Sequence, residues 1–148
     1  MMFEPLTGQR HVAVSQTRIR KDFAHCVKQL VDEYYPDSCK VVLVMDHLNT
    51  HAISSLYEAY EPEEALRLSK RLEIHYTPKH GSWMDMAEIE IGIMNRQCIG
   101  SYTSSKEEME HKVSCWCQKR NAQKATVNWQ FTTKDARIKP KSLYPAIE

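Results

Sequence analysis

The chain has 148 residues, 42% of them apolar and 26% charged, which suits one soluble globular domain able to bury a core. Twenty Lys and Arg against 19 Asp and Glu leave a net charge of +1, so bulk charge does not mark a nucleic-acid binder and any basic surface must be local. No apolar run approaches the roughly 18 residues that span a membrane, and Met1 to Arg10 lacks the basic start and apolar stretch of a signal peptide. The expectation is a cytoplasmic protein with no membrane partner.

In chain order, Arg10 to Ser15 alternates as a strand, and Thr17 can cap the helix after it. Phe23, Val27, Leu30, Val31 and Tyr34 recur at helical spacing and predict one buried face, ended by Pro36-Asp37-Ser38. Lys40 to Asp46 holds five consecutive apolar residues, the pattern of a central strand buried on both faces. Helical sequence runs from Ser54 to Leu72 with an interruption near Pro62. Glu73 to Thr77 reads as a short strand stopped by Pro78, and Lys79 to Ser82 as a loop. Ser82 can cap a helix from Trp83 to Cys98, and Ser104 or Ser105 another from Lys106 to Asn121. The tail, 128–148, alternates aromatic and basic residues. Alternating strands and helices with short crossovers predict an α/β fold with a partly parallel sheet, in a single domain over 1–148.

The five cysteines, Cys26, Cys39, Cys98, Cys115 and Cys117, are odd in number and form no C-x-x-C pair, so neither a disulfide framework nor a zinc ribbon is indicated. Cys115-Trp116-Cys117 can be read as a chelating pair, but two small apolar residues on a helix is the preferred reading.

Asp46 is the strongest chemical signal. It directly follows an apolar strand, and open α/β sheets place their sites at the carboxyl ends of strands. A carboxylate there suits a hard divalent cation or caps the next turn. A second acidic group, Asp85, Glu88 and Glu90, falls on the first turns of one helix. Two-metal phosphoryl transfer needs carboxylates converging from separate elements, and a strand-end Asp with a helical Glu can supply them. Asp85 reads better as a helix-dipole carboxylate. Glu88 and Glu90 project ~200° apart on a helix, so only one can face a site. Met84, Ala87, Ile91, Met94 and Cys98 form the main apolar stripe, with both glutamates near its edges, and periodicity does not choose between them.

Three ordered motifs carry a resemblance: Val44-Met-Asp-His-Leu-Asn-Thr-His51, Ile74-His-Tyr-Thr-Pro-Lys-His-Gly-Ser-Trp83 and Met86-Ala-Glu-Ile-Glu90. With Met2-Phe-Glu-Pro-Leu6, Asn128 to Arg137 and Leu143-Tyr-Pro145, they resemble the transposases of insertion sequence family 630, in the mariner-type superfamily. The resemblance implies a ribonuclease H-like fold, a mixed sheet flanked by helices, and a DDE triad binding Mg²⁺ (or Mn²⁺). The second Asp of the triad matches Asp46 and the third acid Glu88, with Glu90 as fallback. The implied function is DNA transposition: metal-dependent cleavage of transposon ends and strand transfer into target DNA, in a bacterial cytoplasm, nucleoid-associated when bound.

The departures are His47 and Asp85, each where the family usually has Asn, and Pro140, which should shorten the last helix. The first triad Asp should lie on the first strand of the fold, and Asp22, at a helix start, is a poor replacement. The expectation is therefore a catalytic-domain fragment without its first strand, inactive alone, partnered by an upstream segment or an intact transposase, with homodimerisation an option. His51, Lys79, His80, Arg120 and Arg137 are the candidate DNA contacts, within a basic C-terminal half that also holds Trp129 and Phe131. Trp83 and Trp116 read as core anchors. Two other classes compete: a non-catalytic module that docks DNA or an intact transposase, and a receiver-like domain with Asp46 as phosphoacceptor.

Overall fold

The structure is a computed structural model, and it describes residues 1–77 and 86–127. Two short strands, β1 (Met2–Glu4) and β2 (Gln9–His11), form an antiparallel hairpin with Phe3 opposite Arg10. Gly8 turns the hairpin at φ +72°, and a Cβ there would meet the Lys124 carbonyl carbon at 2.8 Å. Glycine thus serves both the left-handed turn and the close approach of another segment. The strand predicted from Arg10 to Ser15 runs only as far as His11, which pairs with Met2. Val12 and Val14 still pack inward, against the cluster of Met94, Val113 and Trp116.

Helix α1 (Arg20–Gln29) continues through Leu30–Tyr34 in the wider π geometry, and its predicted face is the buried one, with Val27, Leu30 and Val31 at most 4% exposed. Its N-terminus differs from expectation. Ile19 is the capping position, and Asp22 reaches back to accept the Ile19 backbone N–H at 3.0 Å, while the Thr17 hydroxyl donates to the same carboxylate at 2.7 Å. Thr17 therefore braces the cap instead of forming it. These bonds hold the Asp22 carboxyl below its ordinary value.

β3 (Val41–Met45) and β4 (Leu72–Tyr76) pair in parallel, joined by α2 (Ser54–Ala59) and α3 (Pro62–Lys70). Pro62 occupies the first turn of α3, where its missing N–H costs nothing. One side of this pair rests on Ala24, Val27, Val31, Leu56, Ala65 and Leu68. Leu56 and Leu68, 1% and 0% exposed, contribute about 1.5–3 kcal/mol each by burial.

The expectation that β3 is buried on both faces is not met. Val42 and Val44 are 62% and 59% exposed, because alternation sends them to the side opposite the helices and no described element covers it. Nor do the described strands form one mixed sheet. Among the described residues the antiparallel hairpin and the parallel pair are separate two-stranded sheets, and β3 pairs with β4 alone.

The second cluster joins α4 (Met86–Met94, extended in π geometry through Asn95–Ile99) to α5 (Lys106–Ala122) around Met94, Val113 and Trp116. Ser105 caps α5 by accepting the Glu108 N–H at 3.1 Å, and the Glu108 carboxylate accepts the Ser104 N–H and hydroxyl in return. Trp116 is 8% exposed, with its indole N–H on Gln97 Oε1 at 3.0 Å, the core anchor expected. Cys98 and Cys117 pack against this cluster and Cys115 is exposed, all as free thiols. No described helix is long and apolar enough to cross a membrane.

Candidate active site

Asp46 leaves the end of β3, and its environment follows from the two parallel strands beside it. Residues 46–51 fold back so that Asp46 Oδ1 accepts the Leu48 backbone N–H at 3.2 Å and His51 Nδ1 at 2.5 Å. Since the carboxylate can only accept, the His51 proton sits on Nδ1. Both side chains are 29% exposed, so the pair is partly shielded yet open to solvent.

The loop is fixed from several sides. The Phe23 ring lies 4.9 Å from that of His51, the Tyr76 hydroxyl donates to the His51 carbonyl at 3.2 Å, and the Ser55 hydroxyl donates to the Thr50 carbonyl at 2.9 Å. The exposed His47 ring sits 4.7 Å from Tyr76. Asp46 thus stands where both strand ends and the start of α2 meet, as open parallel sheets lead one to expect of a site.

The structure separates the two glutamates of α4. Glu88 lies in the first turn and is exposed. Glu90 is 0% exposed. Its Oε1 accepts Arg120 Nη2 at 2.9 Å, and its Oε2 lies 3.0 Å from Arg10 Nε in an ion pair. A carboxylate enclosed between two guanidinium groups reaches neither solvent nor a substrate, which leaves Glu88 as the outward acid. The inward face of α4 carries Glu90 and Met94, whereas Ile91, expected inside, is 37% exposed. The predicted apolar stripe is therefore rotated.

Arg120 follows from the same geometry. Its side chain is 16% exposed, bound to Glu90 and stacked over Trp116 at 5.5 Å, so it serves the interior more than a DNA backbone. His51, another candidate DNA contact, spends Nδ1 on Asp46. Lys79, His80, Asp85 and Arg137 lie outside the described residues.

Arg10 was missed by the sequence reading. It is 1% exposed; burial lowers its pKa from the ordinary guanidinium value and Glu90 raises it again. The signal was present, since alternation along Arg10-His-Val-Ala-Val14 puts Arg10 on the inward side with Val12 and Val14.

Among the described residues no three His, Cys, Asp or Glu side chains are grouped closely enough to hold a metal ion. The donors at hand do match a hard divalent cation. They are carboxylates, Glu88 is solvent-facing, and no described residue bonds Asp46 Oδ2.

Comparison with known proteins then bears on these residues. The family model described as DDE superfamily endonuclease matches residues 1–110, a span that holds Asp46, Glu88 and Glu90. No curated protein matches the chain, and no solved structure does.

Proposed function

Because this chain belongs to the DDE superfamily endonucleases, we propose that it is the carboxylate-bearing part of a transposase catalytic domain of the insertion sequence 630 type, ribonuclease H-like in fold. Its substrates are transposon-end and target DNA, and its reaction is cleavage followed by strand transfer. The observation that carries this is Asp46, held at the end of β3 by His51 and Leu48, in a segment the endonuclease family matches.

Asp46 and Glu88 are the groups of this chain that would hold Mg²⁺ or Mn²⁺. When bound, such ions supply Lewis-acid activation of a water or a DNA 3′-hydroxyl and neutralise charge at the scissile phosphodiester. The chain's own residues do the positioning. His51 and the Leu48 N–H fix one Asp46 oxygen, which leaves the other without a bond to any described residue. Phe23 and Tyr76 hold His51 in turn. Glu88 is carried by α4, a different element, and would have to converge on Asp46 for both to ligate. The third carboxylate of the triad would arrive on a strand laid against the edge of β3 that no described strand pairs with.

A nicking and strand-transfer assay on cognate end DNA with Mg²⁺ or Mn²⁺ tests this, comparing the chain alone with the chain supplied with an upstream strand segment. Activity should appear in the supplemented form and fall by about 10²-fold or more in Asp46→Asn and Glu88→Gln, the scale of losing one preorganised electrostatic group. Full activity in both variants would refute the assignment. Metal-independent DNA binding that survives Asp46→Asn, with no cleavage in any form, would favour a non-catalytic binding module.

A further inference from the structure

We propose that His47 and Tyr76 form a stacking platform for an unpaired nucleobase beside Asp46, so that DNA reaches this site as an end whose terminal bases are splayed apart. This form of the substrate deepens the function proposed above and rests on it.

Parallel pairing brings the two rings together. Met45 lies opposite Tyr76 across β3 and β4, so the two strands end at the same level and Asp46-His47 leaves the sheet beside Tyr76. The ring centroids of His47 and Tyr76 are 4.7 Å apart, with planes inclined at 40°. Alternation puts Tyr76 on the same side of β4 as Leu72 and Ile74. Leu72 is 8% exposed there, whereas Tyr76, at the last position of the strand, is 42% exposed. Its hydroxyl is spent on the His51 carbonyl at 3.2 Å, which fixes the ring without covering it. The same His51 donates Nδ1–H to Asp46, so the platform and the carboxylate share one support.

Ring contacts elsewhere among the described residues are of another kind. His11 with Tyr34 and Tyr35, Phe23 with His51, and His25 with Tyr60 each include at least one partly buried ring. Packing against the fold accounts for such contacts. His47 and Tyr76 are both exposed, and Leu48 beside them is 36% exposed, so flat apolar surface is held in water next to the carboxylate. A carboxylate suited to a hard cation handles the phosphodiester of a nucleotide, and flat rings beside it suit the base. Every base has a π face, so this surface takes a base without regard to sequence. It can do so only once the base has left its stack in the duplex, which costs least where the base is mismatched or already single-stranded.

The test measures binding of the 148-residue chain, in Mg²⁺, to a pair of DNA duplexes of equal length and charge. The terminal base pairs are matched in one and mismatched in the other. Fluorescence anisotropy gives a Kd for each, and 2-aminopurine at the mismatched end reports stacking by quenching. Wild type should bind the mismatched end about fivefold or more tightly, the low end of what one stacking ring contributes per base, and should quench the probe. His47→Ala should bring the ratio of the two Kd values close to one and abolish the quenching. His47→Phe keeps a flat ring without the imidazole nitrogens, and Tyr76→Phe keeps the ring without its hydroxyl; both should retain the preference. His47 is exposed, so replacing it disturbs no buried contact, and circular dichroism checks that the variants fold.

Equal affinity of wild type for the two duplexes, with both bound, would overturn the platform and leave the Asp46 assignment standing. So would a preference that survives His47→Ala, or one lost in His47→Phe as fully as in His47→Ala, which would mark a contact through the imidazole nitrogens. Failure of wild type to bind either duplex would overturn the platform and, with it, the DNA substrate proposed above.

Discussion

Glu88 and Glu90 differ in one measurable way that needs no substrate. Glu90→Gln removes the negative charge from a site that is 0% exposed and touches Arg10 and Arg120 at 3.0 and 2.9 Å. Two guanidinium groups, one wholly buried and one 16% exposed, then lose their counter-ion. Breaking one partner of a buried ion pair costs about 3–5 kcal/mol, a large share of a total stability of about 5–15 kcal/mol. Glu88→Gln changes an exposed side chain and should stay within ~0.5 kcal/mol of wild type. Urea unfolding followed by circular dichroism reads the difference. With a slope of about 2 kcal/mol per molar, a 4 kcal/mol loss lowers the midpoint by about 2 M. A Glu90→Gln midpoint indistinguishable from wild type, or a larger loss in Glu88→Gln, would show that Glu90 is not the clamped interior carboxylate described above.

Other outcomes follow from the local contacts. Ser105→Ala should cost about 1 kcal/mol and Ser105→Gly only a few tenths, because the Ser105 hydroxyl accepts the Glu108 N–H; thermal melts that rank alanine at or above serine would contradict the cap. The Glu64 carboxyl is lowered to about 2, chiefly by Arg67 and then Lys28, and that of Glu108 to about 2, chiefly by Lys112. Depressed carboxylates stabilise the fold above the unfolded value of 4.5 and lose that contribution as pH falls from there through about 2. Urea midpoints should therefore drop across that window, more steeply at low salt, and midpoints that stay level down to pH ~2.5 would exclude this linkage. Val42→Thr with Val44→Thr should leave stability within about 1 kcal/mol, since these residues are 62% and 59% exposed, while reducing self-association through the open apolar face. Sedimentation velocity checks the second point, and a large loss of stability would mean that this face is covered.

Much of the fold was legible because its signals are local. The 3.6-residue spacing from Phe23 to Tyr34 marked the buried face of α1, Pro62 marked the break between α2 and α3, and the serines before Lys106 marked the start of α5. β3 was found as a strand but misjudged as doubly buried. Five apolar residues in a row state a compatibility with burial on two faces, and only the neighbours decide whether both faces are filled. Here the helices cover one side and no described element covers the other. The same limit explains the sheets. Strand positions are local, whereas which strands pair depends on segments far apart in the chain, and the hairpin and the parallel pair do not meet among the described residues.

The candidate site divides along the same line. Asp46 could be read directly, because a carboxylate at the end of an apolar strand is a local pattern with a chemical meaning. The choice between Glu88 and Glu90 could not. Helical periodicity ranks faces by their apolar content, and both glutamates sat at the edges of a predicted stripe of which Met94 and Cys98 pack inside while Ile91 does not. The deciding partners are Arg120, thirty residues downstream, and Arg10, on a strand of the hairpin. Each is unremarkable alone: an arginine starting an alternating run, and one of several basic residues on a helix. Their meaning comes from convergence on one buried carboxylate. A glutamate inside an otherwise apolar helix should therefore prompt a search for inward-facing arginines elsewhere in a chain before it is assigned to catalysis. Applied to this sequence, that search would have found Arg10 on the Val12 and Val14 side of its strand and placed Glu90 in the interior.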